Sequence, residues 1–191
     1  MSKFLSIRPF TKADFADIIS IANNSLGNNY IILAELHSYL TINNKIGLVA
    51  TVNNQIAGFA LAQIGDLDEL MKLILTEHNW FKKQFSNYHT IGILKTIAVD
   101  PTFLNLGIGT ALTKYRINIL NKKCDTILAI SWEHKQNAAN TKILEKCGLS
   151  LKLKIENYWQ KDSLQKGYNC QTCGPPPCKC AALIYTNCSI F

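Results

Sequence analysis

Ile97-Ala98-Val99-Asp100-Pro101-Thr102-Phe103-Leu104-Asn105-Leu106-Gly107-Ile108-Gly109-Thr110-Ala111-Leu112 reads as the end of a strand, a short turn, two glycines one residue apart, and the start of a helix. Such a stretch builds an anion site from backbone alone. Glycine lets the main chain approach a ligand closely because no Cβ intervenes. The helix that follows begins with unpaired N–H groups and the positive end of its dipole, which suits a pyrophosphate. A phosphorylated cosubstrate is therefore expected on this turn.

Strands and helices alternate on both sides of it. Residues 5–8 read as a first strand. Residues 11–26 read as an amphipathic helix with Phe15, Ile18, Ile19, Ala22 and Leu26 on one face, Thr11 as N-cap and Asp14 in an acidic first turn. A second helix is expected over 31–40, with Leu33, Leu36 and Leu40 inward. The β-rich runs 46–52 and 56–64 flank Asn53-Asn54-Gln55, a hairpin signal. Residues 66–87, with a helical core at 67–75, are longer than a hairpin loop and are expected to cover a site or pack as an extra helix. Beyond the strand at 89–99 come a helix over 110–122 (Leu112, Tyr115 and Ile119 inward), a strand over 126–132 and a helix over 137–147 closed by Gly148. A strand over 149–159, with Leu151, Leu153 and Ile155 on one face, and a last one over 181–186 complete the order. The fold class is α/β (α+β mixed): a mixed central sheet of about seven strands flanked by helices.

The 191 residues are 48% hydrophobic and 17% charged, with no long like-charge block. That composition predicts one compact domain rather than a disordered chain. Its core is expected over 1–165, with 166–191 belonging to the same domain. There is no secretion-type apolar run at the N-terminus and no apolar stretch of membrane-spanning length. The expectation is a cytoplasmic protein with no membrane partner. A net charge of +7 suits a polyanionic cosubstrate. Its lysines are scattered rather than clustered, which makes nucleic acid the lesser reading.

With these residues in place, the chain resembles the GNAT N-acetyltransferases, which use acetyl-CoA. The order of elements matches that fold. The strand into Asp100-Pro101 and the Gly107-Ile108-Gly109 turn look like the family's pyrophosphate loop: Arg or Gln, two residues, Gly, one residue, Gly or Ala. Leu104 stands here where Arg or Gln is usual. Residues 137–149 are similar to the family's Asn-containing helix that ends in Gly-Phe: Asn137 matches the cofactor-contacting Asn, Asn140 replaces Ala, Leu144 replaces a Tyr that often protonates the departing thiolate, and Leu149 replaces Phe. By this resemblance Ile97, Ala98, Val99, Leu104, Asn105, Leu106, Gly107, Ile108, Gly109, Thr110 and Asn137 would contact acetyl-CoA. The backbones at Ile97 and Val99 would face the thioester, and residues 107–110 would cradle the pyrophosphate.

The implied reaction is direct attack of an amine on the thioester. The amine must be neutral to attack, a base must take its proton, and the oxyanion needs a donor. The glycine-loop strand contains no Glu. Glu133 and His134, just past the next strand, are the candidate bases, against the plainer reading of a solvated turn. Tyr158 is the candidate acid in place of Leu144, against a cross-strand packing role. Trp132 is read either as a wall of the acceptor pocket or as core.

The tail carries Cys170-Gln171-Thr172-Cys173-Gly174-Pro175-Pro176-Pro177-Cys178-Lys179-Cys180. Four thiolates, Cys170, Cys173, Cys178 and Cys180, match the ligand count of a structural zinc site, although Cys-x-Cys is tighter than the usual spacing. A reducing compartment argues against disulfides. Unliganded thiols, a redox pair and an iron–sulfur cluster are the other readings.

The resulting expectation is an N-acetyltransferase, monomer or homodimer, acting on an amine of a small molecule or protein, with acetyl-CoA and a structural zinc. The competing classes are a non-catalytic acyl-CoA-binding module and a zinc-knuckle interaction module.

Overall fold

The computed structural model describes residues 4–133 and 138–188. Seven strands form one mixed sheet: β1 (Leu5–Pro9), β2 (Lys45–Val52), β3 (Gln55–Gly65), β4 (Ile91–Val99), β5 (Thr126–Trp132), β6 (Ser150–Ile155) and β7 (Ala182–Thr186), in the order β1-β2-β3-β4-β5-β7-β6. Every pairing is antiparallel except β4 with β5. The β2–β3 hairpin closes through Asn53 and Asn54, both at positive φ (50° and 67°). Those dihedrals suit the turn that matches strand twist, and Asn tolerates them better than most residues.

Helices cover both faces. On one lie α1 (Phe15–Leu26), α2 (Leu33–Thr41), α3 (Leu67–Leu73) and α4 (His78–Phe85). Phe15, Ile18 and Leu36 pack on Val49, Phe59 and Leu61, while Phe81 and Phe85 pack on Ile91 and Ile93. On the other face α5 (Ile108–Leu120) sets Ile108 and Leu112 against Leu48, Ala50 and Ala60, and α6 (Ala138–Lys146) sets Leu144 beside Leu94 and Tyr185. The two apolar sets alternate along β2 and β3, as the pleat requires. Each fully buried large side chain contributes roughly 1.5–3 kcal/mol relative to exposure.

Several boundaries and faces differ from expectation. The helix expected from Thr11 opens with a 3-10 turn over Lys12–Asp14 before α1. The Asp14 carboxylate accepts from Thr11 N (2.7 Å) and from both arms of Arg8 (2.7 and 2.8 Å). In α2 the inward pair is Leu36 and Tyr39, and Leu33 and Leu40 are exposed, because only one side of this short helix meets β2. In α5 Tyr115 is exposed and the buried row is Ile108, Leu112, Thr113, Arg116, Ile117 and Leu120. The strand expected to reach Trp159 stops at Ile155, and a register shift between Leu151 and Leu153 leaves Leu151 exposed. A helix absent from the sequence reading, α7 (Gln160–Lys166), follows.

Two features of the sheet make the site. First, a register shift between Ala60 and Ala62 marks an irregularity of β4 against β3 near Lys95 and Thr96. Second, β4 and β5 pair only over 91–94 against 126–129. Beyond that seam the strands diverge and open a wedge.

Candidate functional site

The wedge opens into a cavity of about 590 Å³, lined by β4, the glycine turn, the start of α5, and parts of α1, α2, α6 and α7. At one end, Gly107 at φ 76° caps α5, and the first N–H to bond back belongs to Ala111, onto Gly107 O at 2.9 Å. The N–H groups of Ile108, Gly109 and Thr110 thus precede the first helical bond, and these three residues line the cavity. A Cβ on Gly107 would meet nothing within 4 Å, and one on Gly109 only Val99 Cγ2 at 3.8 Å and Ile143 Cδ1 at 4.0 Å. The chain leaves room for a ligand against its own backbone here, the geometry a pyrophosphate needs. Leu104, Asn105, Gly107, Ile108, Gly109 and Thr110 all line the cavity, with Asn105 at φ 63°. Leu106 is exposed beside them and Leu104 more so.

Ile97, Ala98 and Val99 form the middle of the floor. Asp100 N bonds to Ala57 O on the β3 side, whereas Val99 O receives Ser25 Oγ. By strand alternation the N–H groups of Ile97 and Val99 point away from β3, toward the wedge. Behind this strand lies Arg116, 2% exposed, whose guanidinium donates to Leu61 O (2.8 Å) and Thr96 O (3.3 Å) at the register shift. It has no carboxylate partner among the described residues. Burial pulls its pKa down to about 10, so it stays charged at neutral pH.

The other end is aromatic and charged. Trp132 and Trp159 meet edge to face at 5.4 Å, and Tyr30 lies 5.3 Å from Trp132. Tyr158 is buried, accepts Leu75 N–H on its hydroxyl oxygen at 3.3 Å, and has its pKa pushed up to about 12 by burial, partly offset by that bond. Glu35, Lys95, Asp162 and Lys166 also line the cavity. Asp162 pairs with Lys166 at 3.1 Å, while Glu35 has no ion pair among the described residues. Burial lowers the Lys95 pKa, with Glu35 acting in the opposite direction.

Of the expected catalytic residues, Tyr158 lies in this cavity. Glu133 is exposed, pairs with Lys154 at 2.8 Å and does not line the cavity. His134 and Asn137 lie outside the described residues. Asn140 lines the cavity and donates to Ser131 Oγ at 2.8 Å, tying α6 to β5, and Leu144 is core. Glu35, Lys95 and Asp162 escaped the sequence reading because a charged residue on a short helix or strand carries no local sign that it faces a cavity. The four tail cysteines converge, every Sγ within 4.8 Å of the others, a group able to hold a metal ion.

The model of the acetyltransferase (GNAT) family matches residues 21–149. The chain belongs to the GNAT acetyltransferase family. A search of curated proteins gives no match. Among solved structures this GNAT chain is similar to the ribosomal-protein-S18-alanine N-acetyltransferase of Escherichia coli (18% identity, 96% of this chain and 92% of that one, TM-score 0.63). It is also similar to Arabidopsis thaliana NAA60 in complex with acetyl-CoA (13%, 96% and 97%, TM-score 0.68) and to the NatC complex bound to Gag peptide and CoA (14%, 97% and 99%, TM-score 0.66). At these identities the likeness is one of fold. No helix among the described residues is long and apolar enough to cross a membrane.

Proposed function

We propose that this GNAT protein transfers an acetyl group from acetyl-CoA to an amine, by direct attack in a ternary complex. The observation that carries this reading is a single cavity joining an open glycine-capped helix start, inward backbone N–H groups at Ile97 and Val99, and the carboxylates of Glu35 and Asp162. Acetyl-CoA supplies the activated acetyl carbon as a thioester. The N–H groups of residues 107–110 hold its pyrophosphate, and those of Ile97 and Val99 stabilise the oxyanion.

The acceptor enters between α2, α7 and the Trp132–Trp159 wall. Glu35, free of an ion pair among the described residues, attracts the acceptor's ammonium and takes its proton, directly or through one water. The neutral nitrogen then forms the N–C bond as the C–S bond breaks. Tyr158 stays protonated at neutral pH and donates a hydrogen bond to the departing sulfur. Glu35 passes the ammonium proton to solvent before it takes the surplus proton of the amide nitrogen, and the departing thiolate takes one proton from solvent. Acceptors of both kinds, small-molecule amines and protein amines, fit this chemistry.

Calorimetric titration with acetyl-CoA, CoA and ATP, followed by thiol release across an amine panel, tests the reading. Tight binding of the first two, little of ATP, and amine-dependent thiol release are expected. No acetyl-CoA binding overturns the reading, and binding without turnover on any amine favours an acyl-CoA-binding module. Glu35→Gln should lower kcat/KM on a responsive amine about 100-fold with the acetyl-CoA Kd unchanged.

A further inference from the structure

Fifteen residues separate α7 from β7 without a helix or strand, apart from one bridge between Cys170 and Gly174. Connections this long are uncommon in a compact domain unless something functional or structural holds them. Yet this one is packed inward: Cys170, Cys178 and Cys180 are buried, and Tyr168 is fully buried.

Its sulfurs are arranged for one small ion. Cys173 Sγ lies 3.4 Å from Cys180 Sγ and 4.0 Å from Cys178 Sγ, and Cys170 Sγ lies 3.7 Å from Cys180 Sγ. A tetrahedron with Zn–S of about 2.3 Å has S···S edges of about 3.8 Å. All seven cysteines are free of disulfides. Main-chain N–H groups approach the sulfurs as they do around bound thiolates: Thr172 N to Cys170 Sγ at 3.4 Å and Lys179 N to Cys173 Sγ at 3.3 Å.

The cluster also sits where it can act on the cavity. Trp132 and Trp159 pack against it from the cavity side. Cys178 N donates to Ser163 Oγ of α7 at 2.8 Å, and Gln171 reaches Asn23 O of α1 at 3.4 Å. Gly27, at the end of α1, has no room for a Cβ because the Asn169 carbonyl occupies its place. The knuckle therefore ties α1, α7 and the tryptophan wall together.

We propose that Cys170, Cys173, Cys178 and Cys180 bind one zinc ion, and that this ion holds the acceptor wall of the cavity in place. Four protein ligands leave no open position, so the ion takes no part in acetyl transfer. The metal assignment stands on the cysteines. Only its effect on the acceptor rests on the proposed function, and metal content is read separately from turnover.

The test is elemental analysis of the purified full-length protein, with chromogenic-chelator release after mercurial treatment. About one zinc per chain is expected, falling below 0.2 in Cys173→Ser and Cys180→Ser. The wild-type protein stripped with chelator and reloaded with zinc provides a second arm that does not depend on how those variants fold. Stripping should shift the tryptophan fluorescence and raise the acceptor KM at least tenfold with the acetyl-CoA Kd held within threefold. Zinc should reverse both changes. Folded, metal-free protein whose seven cysteines all titrate as free thiols, stoichiometric iron, or disulfides within the cluster overturns the zinc site. Bound zinc whose removal leaves fluorescence and acceptor KM unchanged overturns its role in the wall.

Discussion

Gly109 has space around it within the protein: a Cβ there would make only ordinary contacts with Val99 and Ile143. On the proposed function, its lack of a side chain serves the ligand rather than the fold. Gly109→Glu should therefore leave the far-UV spectrum unchanged while weakening acetyl-CoA binding at least 100-fold, since bulk and a negative charge enter the anion cradle. Asp14 does the opposite work, serving the fold alone. Hydrogen bonding from Arg8 is the largest influence on its carboxyl and holds the pKa down at about 2, with burial opposing and Thr11 assisting. A carboxyl with a folded pKa below its unfolded value stabilises the native state above about pH 4, and that stabilisation is lost as pH falls toward 2. Urea unfolding should find Asp14→Asn less stable than the parent by about 1–3 kcal/mol at pH 7, with the gap closing by pH 2.

At the scale of elements, the irregular join of β3 and β4 depends on a residue of α5. Arg116 satisfies Leu61 O and Thr96 O where the ladder shifts register. The Thr96 carbonyl belongs to the same peptide unit as the Ile97 N–H, so a cation on the oxygen strengthens the donor aimed at the wedge. Arg116→Met keeps length and removes every donor. It should cost about 2–4 kcal/mol of stability and lower kcat more than it changes the acetyl-CoA Kd, measured by denaturation and steady-state kinetics.

This residue also explains what a sequence hides. The glycine turn and the Asn53-Asn54 hairpin were legible because backbone conformation there is dictated by the residues themselves. The phase of α5 was not: a hydrophobic stripe through Leu112 and Tyr115 ranks an arginine as outward, and only the bulged carbonyls make Arg116 an inward residue. Helix α7 was invisible for a similar reason. Its one large apolar side chain, Leu164, is exposed, and its place is fixed by Ser163 receiving Cys178 N from a distant segment. Glu35 and Asp162 reach the cavity through tertiary packing, which spacing along the chain does not encode.

At the scale of the whole molecule, β1 to β4 and β5 to β7 are two blocks of antiparallel sheet joined by four residue pairs of parallel ladder. A ligand seated in the wedge touches the glycine turn on one side of that narrow join and the β5–α6 side on the other. It acts as a keystone. Filling the wedge should couple the two blocks more firmly than the protein alone can. Saturating acetyl-CoA at a hundred times its Kd stabilises the folded state by about 2.7 kcal/mol, a Tm rise of roughly 5–10 °C for a chain of this size. Amide exchange should slow in β5 and β7 as well as along β4, though β7 never meets the ligand. On the proposed function, the seam that opens the sheet to its ligand would thus also be its most yielding line, and the protein with acetyl-CoA seated there would be a stiffer object than the protein without it.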